Sequence, residues 1–536
     1  MRRRRVAGWF AGLVLVATPA AGQTPVSAPA RLYDSTRYLA DQISVTQSRG
    51  APRSIHGVPL ERLKVEYRTS REALVRTLGE TGADTVMGWR PLRLALARLP
   101  DPDAPPQLAA MTETPDCDYR PASVAVGDSA LRNLESRIFA CYTSATQRII
   151  VDRDTLDRLS VLSLLGTTDD PARRERLFRA LDTVWASVNR HDEPDSPYRT
   201  LVSLRLRSWA GQSPIDHRVE VLGLEARVVE GWLESLLEAW SRVLPKGPLE
   251  PWDYYHANGA AARRLARRIP CDSLLAINHR YYRSLGADPD SLNVHFDIAA
   301  RAGKYPIAFT NFGGRGLHGE LWVFASYRLG GFDNLNELLH ETGHAVHMAA
   351  IQAPSGLDDW PDSDTFTEAI ADLAALEMYE PVWQRAFLGE VVPMDEAVRA
   401  RYAGIMMDVA WALFEFRVHR EGAASPNRIW TDITSRYLRI RPHPELSWWA
   451  MRGQLIENPG YLLNYAFGAI IVADLRAALK QRHGSFTLGR PDWYGQVAEE
   501  IYRFGLTKSA REVTESVLGR GPTPAALLAD LARVIP

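Results

Sequence analysis

The sequence His340-Glu341-Thr342-Gly343-His344 is the most informative stretch in this chain of 536 residues. Histidines four positions apart lie on one face of an α-helix, so both imidazoles can reach one metal ion. Glu341 stands beside that face and can accept a proton from metal-bound water. Apolar residues flank the motif at Leu335, Leu338, Leu339, Ala345 and Val346. This pattern predicts a partly buried helix that carries a metal site.

A catalytic zinc ion needs a third protein ligand, and its fourth position stays open for water. A second helix is predicted at residues 365–379, and Glu368 lies on it among apolar neighbours. We therefore predict that His340, His344 and Glu368 bind one Zn2+ ion. Asp372 follows one helical turn later and is predicted to accept the free ring N–H of a zinc-bound imidazole.

Composition and charge exclude several classes of protein. Apolar residues make up 46% of the chain and charged residues 24%, which is typical of an ordinary globular protein. The formal net charge is −1, whereas proteins that bind nucleic acid or anionic membranes are usually basic. We therefore expect neither nucleic acid nor a membrane surface as a partner.

Residues 1–22 have the pattern of an export signal. Arg2 to Arg5 form a basic region, an apolar stretch follows, and small residues precede Gln23. The apolar stretch is shorter than the roughly 20 residues that a spanning helix needs, and no later segment supplies one. The interpretation is a cleaved signal peptide, no membrane anchor after its removal, and a mature protein that is periplasmic or secreted.

The three cysteines allow two interpretations. Cys117 and Cys141 can join the start of a loop to the end of a helix predicted at residues 130–142, and such a disulfide suits an exported protein. Buried free thiols are the alternative, and the sequence leaves both open. Cys271 has no evident partner, and the chain contains no CxxC pair, so a thiolate zinc site is excluded.

Helical periodicity dominates the rest of the chain. Apolar residues recur at three- and four-residue spacing in residues 61–78, 156–165, 172–190, 219–243 and 397–421. The one convincing β region is 305–312 followed by 320–327. We predict a mainly α fold with a small β-sheet beside the zinc-binding helix. The connectors are too short for flexible linkers, so residues 23–536 should form one catalytic unit, with a helical lobe at 23–250 and a zinc-bearing core at 251–536.

These motifs together resemble a known group of enzymes. The HETGH motif followed by Phe366-Thr367-Glu368-Ala369-Ile370-Ala371-Asp372 resembles the gluzincin peptidases of the angiotensin-converting-enzyme (peptidyl-dipeptidase A) family. His347, and the segment from Phe296 to Lys304, are similar to the related thimet-oligopeptidase family. The resemblance implies a two-lobed helical ellipsoid with a deep central channel and the zinc at its floor. It also implies a lid of N-terminal helices and a short edge strand on which substrate pairs.

The resemblance implies a further catalytic group, a tyrosine on a late helix. Tyr465 is the matching residue, and its hydroxyl would donate to the oxyanion that develops during peptide hydrolysis. Tyr461, one turn earlier on the same face, would contact the substrate. A core tyrosine in an apolar helix is the alternative interpretation of Tyr465.

Three positions depart from the angiotensin-converting-enzyme family. A lysine and a histidine of that family, which bind the substrate's C-terminal carboxylate and a backbone carbonyl, align with Gly453 and Leu455. The family's chloride-binding arginine aligns with Asn464. We therefore do not infer removal of C-terminal dipeptides, and we expect no chloride dependence. Arg452 could supply the missing cation for substrate binding, because arginine binds carboxylates with two hydrogen bonds.

The sequence as a whole predicts an exported zinc metallopeptidase, a peptidyl-dipeptidase or an oligopeptidase, that hydrolyses oligopeptides. In this hypothesis zinc polarises the scissile carbonyl, and Glu341 is the general base. The alternative is a zinc-binding but catalytically silent peptide receptor, and the intact Glu341 argues against it. A serine hydrolase would need a GxSxG elbow, which the chain lacks.

Overall fold

The computed structural model confirms the mainly α prediction. It describes residues 28–80, 99, 115–127, 129–209, 211–221, 224–301, 304, 308–311, 320–353, 358–422 and 424–535. The predicted signal peptide at residues 1–22 lies outside these described residues. So do Gly303 and residues 312–319, which belong to two of the sequence patterns discussed above.

The described residues of the first part of the chain, up to Val243, form helices and one short antiparallel hairpin. Its helices and strands are α1 (Ala28–Ser48), α2 (Leu60–Glu80), α3 (Pro121–Val124), α4 (Ala130–Gln147), β1 (Ile149–Val151), β2 (Asp154–Leu156), α5 (Arg158–Thr167), α6 (Pro171–Arg179), α7 (Asp182–Asn189), α8 (Pro197–Ser208), α9 (Pro214–Val221) and α10 (Ala226–Val243). Several starts are fixed locally, because Asp157, Asp170 and Ser196 accept hydrogen bonds from backbone N–H groups of the first turn.

The second part of the chain contains a three-stranded sheet between helices. Its helices and strands are α11 (Tyr254–Asn258), α12 (Ala260–Leu265), α13 (Leu274–Ser284), β3 (Val294–Ala299), β4 (Phe309–Asn311), β5 (Leu321–Tyr327), α14 (Phe332–Ala350), α15 (Asp364–Ala375), α16 (Pro381–Leu388), α17 (Met394–Glu421), α18 (Pro426–Tyr437), α19 (Gln454–Glu457), α20 (Leu463–His483), α21 (Trp493–Glu500), α22 (Ala510–Leu518) and α23 (Ala525–Ala532). Short 3-10 helices lie at Pro251–Asp253, Ala266–Arg268, Cys271–Ser273, Leu376–Tyr379, Trp448–Met451 and Tyr502–Thr507.

The periodic segment at residues 172–190 is divided into two helices, α6 and α7. The N–H of Leu181 donates to the carbonyl of Phe178 at 3.0 Å, a tighter bond than the α-helical pattern, and the chain turns there. The turn directs Leu181 and Trp185 into the core, where both are buried. Periodicity predicts that these residues face inward, and it does not show where the helix axis changes.

The sheet contains the predicted strand pair and one strand that the sequence did not reveal. β4 pairs antiparallel with β5, with Phe309 opposite Phe324 and Asn311 opposite Trp322. β3 pairs parallel with the other side of β5, so the strand order is β3-β5-β4. Among the described strands, β5 is therefore central and β4 lies at the edge. Immediately after β5 the chain enters α14, which carries the HETGH motif.

Two large hydrophobic cores organise the described residues. The first is formed by α4 to α11 together with α17, α18 and the beginning of α20, and it contains a cluster of buried tryptophans that includes Trp411, Trp430 and Trp449. The second is formed by α13, the sheet, α14 to α16, the end of α20, α21 and α22. Residues on both sides of position 250 build the first core. α20 passes from one core to the other and connects them.

Cys117 and Cys141 form a disulfide with a Cα–Cα distance of 5.7 Å, which ties the segment before α3 to α4. Of the two interpretations that the sequence left open, the structure has the disulfide. Cys271 is a free thiol. No described helix combines the length and the hydropathy that a membrane span requires.

Candidate active site

Helices α14 and α15 pack so closely that Gly343 of the motif has no room for a side chain. A Cβ atom on Gly343 would lie 2.1 Å from the carbonyl oxygen of Ala371 on α15. The start of α15 is fixed by Ser363, whose hydroxyl accepts a hydrogen bond from the N–H of Phe366. The glycine therefore brings the two helices close enough for side chains one turn away on α15 to reach the histidines of α14.

The three predicted metal ligands converge. Glu368 Oε2 lies 3.3 Å from His340 Nε2, and Glu368 Oε1 lies 3.6 Å from His344 Nε2. The nearest donor atoms of all three residues lie within 4.8 Å of one another. Two imidazole nitrogens and one carboxylate, with the carboxylate facing an open cavity, fit a zinc ion that keeps one position free.

Asp372 supports this arrangement from one turn after Glu368 on α15. Its Oδ1 lies 2.8 Å from Nδ1 of His340, which leaves Nε2 of the same ring directed at Glu368. Burial works against the charged form of His340, but the carboxylates of Asp372, Glu368 and Glu341 together outweigh it and raise the pKa of this imidazole. Asp372 therefore fixes the ring orientation and makes His340 a stronger electron donor to a cation.

The electrostatic character of Glu368 also suits a metal ligand. Burial opposes ionisation of its carboxyl group, but hydrogen bonds and charge from His340 and His344 prevail and lower its pKa. The side chain remains 61% exposed because it faces the cavity. The two imidazoles thus favour the ionised form of the Glu368 carboxylate.

Glu341 is held by a residue that the sequence did not identify. The hydroxyl of Thr310, on edge strand β4, lies 2.7 Å from Oε2 of Glu341 and 2.8 Å from its backbone oxygen. Glu341 itself is 8% exposed, so its carboxylate is largely shielded from solvent. Thr310 therefore restricts the carboxylate that was predicted as the general base.

A cavity of about 570 Å³ opens beside the metal ligands. It is lined on the α14 and α15 side by His340, Glu368 and Asp372, and on the α20 side by Tyr461, Asn464 and Tyr465. The two tyrosine rings are 5.8 Å apart and nearly perpendicular. Burial raises the pKa of both phenols, so both remain neutral hydrogen-bond donors. The structure thus places both predicted tyrosines on the same cavity as His340 and Glu368, two of the three predicted metal ligands.

Arg452 lies behind Tyr465 and is already paired. It forms a salt bridge with the buried Asp408 of α17, and its guanidinium lies 4.8 Å from the ring centre of Trp411 and 5.7 Å from that of Tyr465. It is not among the residues that line the 570 Å³ cavity. The geometry thus gives Arg452 a contact with Tyr465, whereas its predicted role was substrate binding.

The two positions aligned with the absent lysine and histidine lie in the core. A Cβ atom on Gly453 would stand 2.9 Å from a ring carbon of Tyr142 and 3.2 Å from one of Phe139, so a longer side chain has no space there. Leu455 is fully buried. Neither position belongs to the cavity lining, which agrees with the departure seen in the sequence.

Helix α1 contacts the same region from the N-terminal side. Arg37 forms a 2.6 Å salt bridge with Asp359, which lies just before α15 and next to the cavity-lining Trp360. Asn311 of strand β4 donates to the hydroxyl of Ser44 at 3.3 Å. The N-terminal helix is thus joined by polar contacts to both segments that border the site.

Thr310 and Asp408 are the residues near the site that sequence reasoning missed. Thr310 lies within the predicted β region, but nothing in its neighbours indicates a bond to a helix 31 residues later. Asp408 lies in the middle of the apolar pattern of α17, and an acidic residue in such a position was the available signal.

Comparison with protein-family models and with curated protein sequences gave no match. Among solved structures, the chain is similar to a putative oligoendopeptidase F (TM-score 0.51, 15% identity, 95% of this chain and 96% of that chain). It is also similar to PZ peptidase A determined with an inhibitor (0.53, 13%, 94% and 96%) and to the M32 carboxypeptidase from Deinococcus radiodurans R1 (0.50, 15%, 94% and 97%). The fold of this chain is therefore shared, over nearly its full length, with three proteins named as peptidases.

Proposed function

We propose that this protein is a zinc metallopeptidase of the gluzincin type that hydrolyses oligopeptides. The observation that carries the proposal is the convergence of His340, His344 and Glu368 beside a cavity, with Glu341 held next to them by Thr310. The shared fold with proteins named as peptidases supports the same assignment. We extend the proposal to residues 23–536 as one catalytic unit, with a helical lobe at 23–250 and a zinc-bearing core at 251–536.

The residues around the cavity divide the chemistry of peptide hydrolysis between them. His340, His344 and Glu368 would hold the zinc ion, which supplies positive charge that polarises the scissile carbonyl and acidifies water. Glu341 takes the proton from the attacking water and delivers it to the leaving amine. Thr310 keeps that carboxylate directed at the site through its hydroxyl.

Tyr465 is assigned to the developing oxyanion. Its neutral hydroxyl donates a hydrogen bond that strengthens as charge forms on the carbonyl oxygen. Its position in the lining of the same cavity as Glu368 supports this role. Tyr461 shares that lining and is assigned to substrate contact. The contact between Arg452 and the Tyr465 ring supports a role for Arg452 in orienting the tyrosine, in place of binding the substrate directly.

The substrate class follows from the shape and the edges of the site. Strand β4 is at the edge of its sheet and carries Thr310 next to Glu341, so an extended peptide could pair with it and lie across the cavity.

We propose that the mature chain acts outside the cytosol, periplasmic or secreted, after loss of residues 1–22. The Cys117–Cys141 disulfide supports that location, because such bonds persist in oxidising compartments. We expect no nucleic-acid partner and no dependence on chloride.

The test is a combined measurement of metal and cleavage on the purified mature protein. Zinc content should approach one ion per chain, and a library of short peptides read by mass spectrometry should show defined cut sites. Removal of the metal with 1,10-phenanthroline should abolish cleavage, and added zinc should restore it. Undiminished cleavage by metal-free protein would refute the assignment. Tight binding of peptides by zinc-loaded protein without cleavage would establish a receptor.

A further inference from the structure

Residues 449–465, here called the tyrosine segment, lead from the first core into α20 and carry Tyr461 and Tyr465. Buried donors from the N-terminal lobe hold its backbone. The hydroxyl of Tyr142 donates to the carbonyl of Met451 at 2.7 Å. The guanidinium of Arg205, which is 2% exposed, donates to the carbonyls of Leu455 and Ile456 and forms a salt bridge with Glu135 on α4.

The contacts continue up to the turn that precedes the tyrosines. Arg218 of α9 donates to Oδ1 of Asn458 at 2.8 Å and to the carbonyl of Pro459 at 3.3 Å. Glu415 of α17 then accepts the N–H of Gly460 on its Oε1 atom at 2.8 Å. Gly460 has a positive φ of 79°, and a Cβ atom there would lie 2.9 Å from a side-chain carbon of Arg218. The turn is thus a close fit between Arg218 and Glu415.

Glu415 is an unusual residue for this position. It is fully buried in the first core, and no described residue forms a salt bridge with it. Burial raises the pKa of its carboxyl to about 7, while the N–H groups of Gly460 and Leu462 and the charges of Arg205 and Arg218 act in the opposite direction. Burying an acidic group without a direct counter-ion is costly. Stability therefore gives no reason for an acid at this position, whereas a fixed acceptor for the turn does.

We propose that Glu415 is a positioning residue for Tyr461 and Tyr465. It acts by fixing the turn at Gly460, which leads into helix α20. Arg205 and Arg218 assist by holding the carbonyl groups of the preceding residues. The inference rests on the proposed function, because it assigns Tyr465 to the oxyanion. Arg205 of α8, Arg218 of α9 and Glu415 of α17 do not themselves line the cavity, so the proposal gives three residues outside the cavity control of the Tyr465 hydroxyl.

The test compares four variants with the wild type on one cleaved peptide. Glu415→Leu removes the acceptor, and we expect kcat to fall by about 10- to 100-fold with a smaller change in KM, because a displaced Tyr465 affects the transition state more than substrate binding. Glu415→Gln keeps an acceptor oxygen and should recover most of that loss. Arg218→Met changes a half-buried side chain and should lower kcat by a smaller factor of about 3- to 10-fold. This milder substitution still tests the proposal if Glu415→Leu does not fold.

Val418→Ala is the matched control. It removes buried methyl groups from the same helix and leaves the carboxylate of Glu415 in place. Zinc content should stay at the wild-type value in all four variants, since none of them contacts the metal ligands. Equal losses of kcat in Glu415→Leu and in Val418→Ala would show that general destabilisation is responsible, and would overturn the proposal.

Hydrogen exchange supplies a readout that does not depend on catalysis. Amides in peptides covering residues 458–465 should exchange faster in Glu415→Leu than in wild type, whereas those of α14 should not change. Unchanged exchange at 458–465 would overturn the proposal even if activity fell. A wild-type protein that cleaves no peptide would instead refute the proposed function, and the exchange result would still decide whether Glu415 holds the turn.

Discussion

The two halves of the candidate site are built in different ways. The proposed metal ligands lie on two consecutive helices, α14 and α15, and their geometry follows from helical spacing and the close packing at Gly343. The tyrosine segment contributes no such local unit. Its backbone is held by Tyr142, Arg205, Arg218 and Glu415, which lie between 45 and 309 residues away in sequence from their bonding partners.

The two halves differ because binding a metal ion and orienting a hydroxyl group place different demands on the backbone. The metal half needs three side chains that can adjust around an ion, and neighbouring helices supply them. In the proposed function the tyrosine half places one phenol against an oxygen that exists only in the transition state, which requires a backbone fixed before substrate arrives. We therefore expect damage to the metal half to remove zinc or the base, and damage to the tyrosine half to lower turnover while zinc stays.

The sharpest test of the metal half is Glu341→Gln. The substitution keeps the shape and the bond to Thr310 but removes the base, so turnover should fall by about 10²- to 10⁴-fold. Zinc content, measured by atomic absorption on the same preparation, should be unchanged. A variant with wild-type turnover would show that another group takes the proton.

The corresponding test of the tyrosine half is Tyr465→Phe. Loss of this one donor should lower kcat by about 10²- to 10³-fold with little change in KM. Tyr461→Phe is the matched control on the same cavity wall, and we expect a smaller effect that falls mainly on KM. If Tyr465→Phe changes only the unfolding midpoint, Tyr465 is a core residue and the oxyanion assignment fails.

The same contrast explains how much of the site could be predicted from the sequence. His340, His344, Glu368 and Asp372 were predictable because helical spacing brings them together and the chain between the two helices is short. Thr310 was not, because the packing of β4 against α14 leaves no periodic trace in the residues around it. Glu415 was not either, since its hydrogen bond partner lies 45 residues away on another element.

The fold shows the same limit. The helices and the pair β4–β5 follow from local patterns, since period and turn residues are encoded in adjacent positions. β3 alternates Val294, Phe296 and Ile298 with polar residues, but it pairs in parallel with β5 across a long connection. The division of the core between the first and second clusters depends on where α17 and α20 cross, and this is a property of tertiary packing alone.

Asp372 tests whether the metal half depends on its supporting contact. Asp372→Ala removes the acceptor from Nδ1 of His340, and we expect zinc affinity to fall by about 10- to 100-fold. Competition with a chromogenic chelator measures it. Asp364→Ala is the control, because it removes a carboxylate from the same helix and the same cavity. Equal zinc affinity in the Asp372 variant and the wild type would mean that the ligands alone set the affinity.

The buried Glu415 of the tyrosine half should make the free energy of unfolding depend on pH. Arg205, Arg218 and Tyr198 face Glu415 from other helices, and His419 faces it from its own helix. Burial raises the pKa of Tyr198 and lowers the pKa of His419 to about 3. In the folded chain neither group therefore titrates near neutrality. The pKa of Glu415 is raised from 4.5 to about 7. Below pH 4.5 the Glu415 carboxyl is protonated in both the folded and the unfolded chain, so its contribution to the free energy of unfolding is fully present.

As pH rises from 4.5 to about 7, the unfolded chain ionises first, so wild type loses stability that Glu415→Gln does not lose. The difference between their urea midpoints should therefore grow in favour of the variant from pH 4.5 to pH 8 and then level off. A constant difference across that range would show that Glu415 is not a buried acid with a raised pKa.

The smallest expected effect concerns chloride and asks whether the tyrosine half has an anion site. Asn464 stands beside Tyr465 on the cavity wall, where the angiotensin-converting-enzyme family has an arginine, and a neutral amide offers an anion no full positive charge. Arg401, which lines the cavity, is paired with Asp530, and Arg452 behind Tyr465 is paired with Asp408. Peptide cleavage at constant ionic strength should therefore be nearly equal in sodium chloride and in sodium acetate. Strong, saturable activation by chloride would contradict the alignment of Asn464 and would weaken the assignment of Tyr465 that depends on it.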